Sequence, residues 1–215
     1  MISASECKEA LEKCGVPPAK DLVEYMRLVL DLNEQMNLTG AKTCEEFALK
    51  HVADVWGAFQ AIGGLQSRVL DVGSGAGIPG IILGILAPDT EVFLVERRQK
   101  KAGALSHIVS KLGLEGRVKV IAKSFEEIPS LPKEAEIWMR GFLPGPKLAE
   151  YLSRNWPRAD LMSLVLMKGP GWPAEKLEIM SQPRVKDAWK QRFASAEEIS
   201  YALPRDAGQR ILVLV

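Results

Sequence analysis

A Rossmann-like α/β fold is predicted for this chain of 215 residues: a mostly parallel sheet with helices on both faces and an N-terminal helical extension. Three observations predict it. Short apolar runs alternate with helical patterns from Arg68 onward. A glycine-rich turn follows the first of those runs. Everything ahead of Arg68 has helical spacing.

The elements follow in order. Ser3 or Ser5 caps a short helix that ends before Gly15-Val-Pro-Pro18. Leu22, Tyr25, Met26, Val29 and Leu32 recur at helical spacing through about Leu38. Thr43 with Glu46 is a capping-box pattern opening a third helix, Glu45 to Ala61, which Gly63-Gly64 ends. These make residues 1–64 a helical extension packed on the core of a domain spanning residues 65–215. The predicted strands are Arg68 to Val72, Glu91 to Val95, Val118 to Ile121, Glu136 to Met139 and Leu161 to Met167. Helices Pro79 to Leu86, Gln99 to Leu112 and Pro146 to Asn155 separate them, so the strands run parallel with crossover helices. Gly169-Pro-Gly-Trp-Pro173 reads as a loop. Beyond it, Val185 to Phe193 and Arg210 to Val215 read as extended runs forming a hairpin at the sheet edge.

Composition narrows the classes. About half the residues are apolar, and the net charge of +1 gives no global sign of a nucleic-acid partner, although a local basic face would suffice. The three cysteines, Cys7, Cys14 and Cys44, include no CxxC pair, so free thiols in a reducing compartment are expected. No His/Cys/Asp cluster has metal-ligand spacing, and no metal is expected. The N-terminus has no signal pattern, and no apolar run approaches the roughly 18 residues that span a bilayer. The chain reads as cytoplasmic, and nothing in it demands more than a monomer.

The turn Asp71-Val-Gly-Ser-Gly-Ala-Gly-Ile-Pro-Gly80 carries the chemistry. Gly73, Gly75 and Gly77 let the backbone turn sharply and approach a ligand. Gly75-x-Gly77-x-x-Gly80 formally matches the dinucleotide fingerprint. Asp71, however, closes the strand where the ligand crevice begins. A carboxylate there repels a pyrophosphate and suits the ammonium and sulfonium of S-adenosylmethionine. Val92-Phe-Leu-Val-Glu96 then ends in a carboxylate some twenty residues past the loop, where ribose hydroxyls are accepted. After the third strand, Phe125 would flank an adenine ring, although Ser124 with Glu127 equally reads as a capped helix start.

In order along the chain stand Asn37-Leu-Thr39, Lys50-His51 with Asp54, the glycine turn through Ile-Pro-Gly80, Lys100-Lys101, the Arg140 segment, Lys168-Gly169 and the terminal Arg210-Ile-Leu-Val-Leu. On these residues the chain resembles the bacterial ribosomal RNA small-subunit methyltransferase G family, also called glucose-inhibited division protein B. The resemblance runs from about Leu22 to the end. It implies methyl transfer from S-adenosylmethionine to N7 of a guanine in 16S ribosomal RNA, with the RNA or the small ribosomal subunit as partner. It further implies cofactor contacts at Gly73 and Ile78, an adenine-side pair at Phe125 and Glu126, and a role for Arg140 after the fourth strand. The chain departs from the family at Lys50 (usually Arg), at Glu96 (usually Asp), at Arg97-Arg98 (usually small and polar), and at Met139-Arg-Gly141 (usually Ser-Arg-Ala).

N7 of guanine carries an in-plane lone pair and no proton, so the reaction needs aligners rather than a general base. Arg140 and Lys168 follow predicted strands and are the candidates, Arg140 for guanine O6 or a phosphate and Lys168 for a phosphate. Arg97, Arg98, Lys100 and Lys101 form the dense basic run, a footprint for the RNA backbone, with Lys111, Arg117, Lys119 and Lys123 as possible extensions. The competing readings are a methyltransferase for a small molecule or protein, an NAD-binding oxidoreductase, and a silent ribosome-assembly module.

Overall fold

The computed structural model describes residues 2–129, 134–155 and 163–215. One seven-stranded sheet organises the chain, in the order β3-β2-β1-β4-β5-β7-β6. Strands β1 (Arg68–Val72), β2 (Glu91–Val95), β3 (Val118–Ile121), β4 (Ala135–Arg140) and β5 (Leu164–Lys168) are parallel. Strand β7 (Gln209–Leu214) pairs antiparallel with β5 and with β6 (Glu197–Ala202). Leu161 and Met162 of the fifth predicted strand lie outside the described residues.

Residues along each strand alternate between two cores, because successive side chains leave opposite faces. Val69, Val92, Leu94, Trp138, Val165, Met167 and Leu212 enter one cluster. Leu70, Val72, Val95, Ile137, Met139, Leu166 and Val213 enter the other. Over the first face lie α5 (Gly80–Leu86) and α6 (Gln99–Lys111). The same cluster takes in α1 (Ala4–Lys13), α2 (Lys20–Met36), α3 (Cys44–Phe47) and α4 (Ala53–Ile62). A π-helical turn, Ala48–Val52, joins α3 to α4. The N-terminal helices thus share their hydrophobic core with the sheet. Over the second face lie α7 (Gly145–Asn155), α8 (Trp172–Ser181) and α9 (Asp187–Ser195).

Local signals explain the helix ends. Ser3 and Glu6 form a capping box on α1. Thr43 Oγ1 accepts from Glu46 N at 3.1 Å, while Glu46 Oε2 accepts from Lys42 N at 2.8 Å. The reciprocal half of the predicted box therefore lands one residue early. Asn37 ends α2 in the left-handed region at φ +48°, a conformation that asparagine tolerates.

Two expectations at the C-terminal end are corrected. Val185 to Phe193 is not a strand: Asp187–Ser195 is helical. Val185, Trp189 and Phe193 stand four residues apart and are all buried, which is a helical period. The hairpin exists, but its first strand is Glu197–Ala202, where Ile199 and Tyr201 alternate with exposed residues. The predicted loop is present at Gly169 to Gly171, and Trp172 and Pro173 already belong to α8, with proline in its first turn. No helix among the described residues is long and apolar enough to cross a membrane.

Candidate functional site

Strand order reverses between β1 and β4, so the crevice expected of such a sheet opens at their carboxyl ends. The glycine turn leaves β1 there, and Arg140 closes β4. Gly73, Gly75 and Gly77 all have positive φ, at +80°, +58° and +90°. Their missing Cβ atoms serve different ends. A Cβ on Gly77 would strike Ile81 and Leu105, and one on Gly80 would strike Leu94 and Asp71, so these two glycines let α5 settle onto the sheet. A Cβ on Gly73 would stand 2.6 Å from the Phe142 ring. Gly75 has no side chain within 4 Å of the same position. Ile78 is buried in the first core.

Asp71 is fully buried. Its Oδ2 accepts from Gly80 N at 3.0 Å and anchors the start of α5. Its Oδ1 is buried with no hydrogen-bond partner. Burial raises its pKa to about 7, against the opposing effect of the Gly80 bond. Tyr25 closes the turn from the helical side, donating to Ala76 O at 2.9 Å.

Glu96 spans the turn from β2. Its Oε2 accepts from Gly75 N at 3.1 Å and its Oε1 from Arg98 N at 2.8 Å. Each oxygen keeps a further lone pair for a ribose hydroxyl. Phe125 is buried in the second core, in a 3₁₀ turn that Ser124 and Glu127 cap. Glu126 accepts a hydrogen bond of 2.7 Å from Tyr151 Oη.

Arg140 is held by two acceptors on the N-terminal helical segment. Its Nε donates to Asp54 Oδ2 at 2.9 Å and its Nη2 to Lys50 O at 2.8 Å. Asp54, nearly fully buried on α4, also accepts from Tyr201 Oη at 2.7 Å and lies 3.7 Å from Arg210 Nε. Gly57 leaves room for the Tyr201 ring on the next turn. Beside them His51 Nε2 meets Thr39 Oγ1 at 2.7 Å. Asn33 fastens that loop, accepting from Thr39 N and donating to Ala41 O. Burial, then the Arg140 charge, lowers the His51 pKa to about 4.

Lys168 ends the strand next to that of Arg140 and engages different partners. Its ammonium meets Glu175 Oε2 at 2.8 Å and lies over the Trp172 ring. Glu175 also accepts from Gly145 N at 2.9 Å, so the pair clamps the segment between β4 and α7. Arg97, Arg98 and Lys100 are exposed and Lys101 is half-buried. Of the extensions, Arg117 donates to Gly84 O and Lys119 pairs with Glu91.

Sequence reasoning missed Tyr201, Asn33 and Phe142. Tyr201 lies 147 residues from Asp54, and no local pattern announces that pairing. Two clefts, of about 420 and 410 Å³, lie elsewhere: one between α1 and the start of α3, the other at the amino ends of β1, β4 and β5. No glycine of the turn lines either one. Among the described residues no group of three or more His, Cys, Asp or Glu is placed to hold a metal, and Cys7, Cys14 and Cys44 are free and buried.

An unpartnered carboxylate oxygen beneath a glycine turn accommodates a cation and repels a pyrophosphate. Asp71 and the open side of Gly75 therefore fit S-adenosylmethionine and argue against a dinucleotide. Its sheet order gives the chain a Rossmann-like fold shared with solved methyltransferases. The S-adenosylmethionine-dependent methyltransferase SibL superposes with a TM-score of 0.54 at 14% identity, covering 90% of this chain and 74% of that one. The METTL16 methyltransferase domain superposes with a TM-score of 0.53 at 14% identity, covering 91% and 80%.

Sequence narrows the class to a family. The model of GidB, rRNA small subunit methyltransferase G, matches residues 19–198, and the chain belongs to that family. Proteins named ribosomal RNA small subunit methyltransferase G are similar over most of its length. That of Brachyspira hyodysenteriae is 40% identical over 193 residues, covering 90% of this chain and 88% of the relative. That of Pelotomaculum thermopropionicum is 32% identical over 226 residues, covering 100% and 90%. That of Paracoccus denitrificans is 32% identical over 160 residues, covering 74% and 81%.

Proposed function

We propose that this enzyme methylates N7 of a guanine in the 16S ribosomal RNA of the small ribosomal subunit, acting in the cytoplasm as a monomer. One observation carries the reading: the glycine turn leaves β1 and Arg140 closes β4, the neighbouring strands at which the sheet order reverses, in a chain of the rRNA small subunit methyltransferase G family. S-adenosylmethionine, when bound, supplies the electrophilic methyl group.

The chain's own residues supply the rest. Asp71, buried beneath the turn with Oδ1 unpartnered, supplies negative charge for the ligand's cationic end, Gly73, Gly75, Gly77 and Ile78 shape the turn, and Glu96 accepts from the ribose. Phe125 and Glu126 border the adenine. The acceptor nitrogen has no proton to lose, so no side chain is asked to act as base. Arg140 keeps Nη1 uncommitted among the described residues, while Nε and Nη2 fix its plane. That leaves a rigid donor for guanine O6 or a phosphate. Lys168, bound to Glu175, positions the segment after β4. Arg97, Arg98, Lys100 and Lys101, which form no ion pair among the described residues, bind the RNA backbone.

The test is methyl transfer from labelled donor to assembled small subunits and to naked 16S RNA, followed by mapping of the modified base. Label at one guanine N7 is expected. Label in neither substrate rejects the proposal.

A further inference from the structure

Three facts converge on the residue after Gly141. Gly141 stands at φ +61°, and its missing Cβ meets nothing within 4 Å. That left-handed step turns the chain back after Arg140 and brings Phe142 over the glycine turn. Phe142 Cδ2 lies 2.6 Å from where a Gly73 Cβ would stand, so the ring rests directly on the first glycine. Tyr151 meets the same ring edge-on, with centroids 5.3 Å apart and planes at 68°, and is itself tied to Glu126. Gly145 N on Glu175, with Lys168 behind it, anchors the far end of the loop. Of the other aromatic rings near the carboxyl ends, Phe125, Trp172, Trp138 and Tyr25 are buried, and half-buried Tyr151 is committed to Glu126 and to the edge contact with Phe142. Phe142 is half-buried.

We infer that Phe142, held over Gly73 beside Arg140, is the stacking residue for the acceptor guanine. The inference rests on the methyltransferase reading above. An extruded base needs a flat apolar partner for its ring and a polar one for its edge. Phe142 supplies the first, and Arg140, two residues earlier, supplies the second. Gly141 serves that placement: glycine permits the left-handed turn that a residue with a Cβ would strain.

The product nucleotide offers a test independent of rRNA activity. 7-Methylguanosine monophosphate fluoresces, and stacking on an aromatic ring quenches it. With S-adenosylhomocysteine present, the parent and Phe142→Trp should quench it, whereas Phe142→Leu and Gly141→Ala should bind it at least fivefold more weakly. With small subunits as substrate, Phe142→Leu should lose about 10- to 100-fold in kcat/KM, with donor Kd changed less than twofold. Phe142→Trp should stay within fivefold of the parent. Absence of quenching by the parent, equal quenching by Phe142→Leu, or a tenfold loss of donor affinity in Phe142→Leu would each overturn the assignment. A parent that quenches but methylates neither subunits nor 16S RNA would instead reject the proposed substrate and leave the stacking role standing.

Discussion

Arg140 and Asp54 are 86 residues apart in sequence and meet at 2.9 Å. This contact joins the end of β4 to the N-terminal helices, and through Tyr201 and Arg210 to the C-terminal hairpin. The arginine at the crevice is therefore oriented by an element outside the sheet. Asp54 is buried, so these partners replace the water it has lost.

Replacing Asp54 with alanine removes the carboxylate that Arg140 and Arg210 share and leaves them only backbone acceptors. A loss of about 3 kcal/mol is expected, since breaking a buried pair strands the remaining charge. In a domain of this size that lowers Tm by roughly 6–12 °C. Tyr201→Phe, which removes one hydrogen bond, should cost about 1 kcal/mol. Thermal denaturation of both variants checks the order.

Asp71 makes donor binding pH-dependent. Its pKa is raised by burial to about 7, so its effect on the stability of the free protein is favourable below pH ~4 and lost as pH rises through 7. A cationic ligand favours the ionised form, so donor affinity should increase between pH 5.5 and 7.5. Calorimetry should show proton release on binding near pH 6.5. Asp71→Asn should abolish that release, weaken donor binding by at least about tenfold, and raise the stability of the free protein at pH 8.

His51 acts with the opposite sign. It is a base held neutral, with its pKa lowered to about 4 by burial and then by Arg140. The stability linked to it is complete above pH ~6.5 and lost as pH falls from there through 4. Thr39, Lys50 and Arg140 are the polar residues around it, and Phe47 packs on its ring. Between pH 6.5 and 4.5 the parent should lose more Tm than His51→Gln. Parallel curves would remove this histidine from the account.

Salt dependence measures the basic run. Changing Arg97, Arg98, Lys100 and Lys101 to glutamine should reduce the slope of log Kd against log salt by about 2 to 3. Changing Arg117 and Lys119 should alter it far less, because those cations are already engaged with Gly84 and Glu91. Filter binding to 16S RNA across a salt series distinguishes them.

Much of the fold was legible because its signals are local. Strands β1, β2 and β3 match the predicted ranges, since their short runs of valine, leucine and isoleucine stand between segments of helical spacing. The glycine turn was legible because positive φ restricts the residues that fit. Val185, Trp189 and Phe193 were misread because their fourfold spacing was passed over for an extended run, and the true strand, Glu197–Ala202, is masked by charges at an exposed edge.

By itself the sequence determined the parallel sheet, the glycine turn, the acidic residues that close β1 and β2, and the family. All of these rest on short-range patterns of apolar spacing and backbone conformation. Tertiary structure alone decided which groups face each other. Asp71 spends one oxygen on α5 and keeps the other free, Asp54 gathers Arg140, Tyr201 and Arg210, and Phe142 lies on Gly73. Those pairings join residues far apart along the chain, where only the packing of layers can bring a buried charge to its partner.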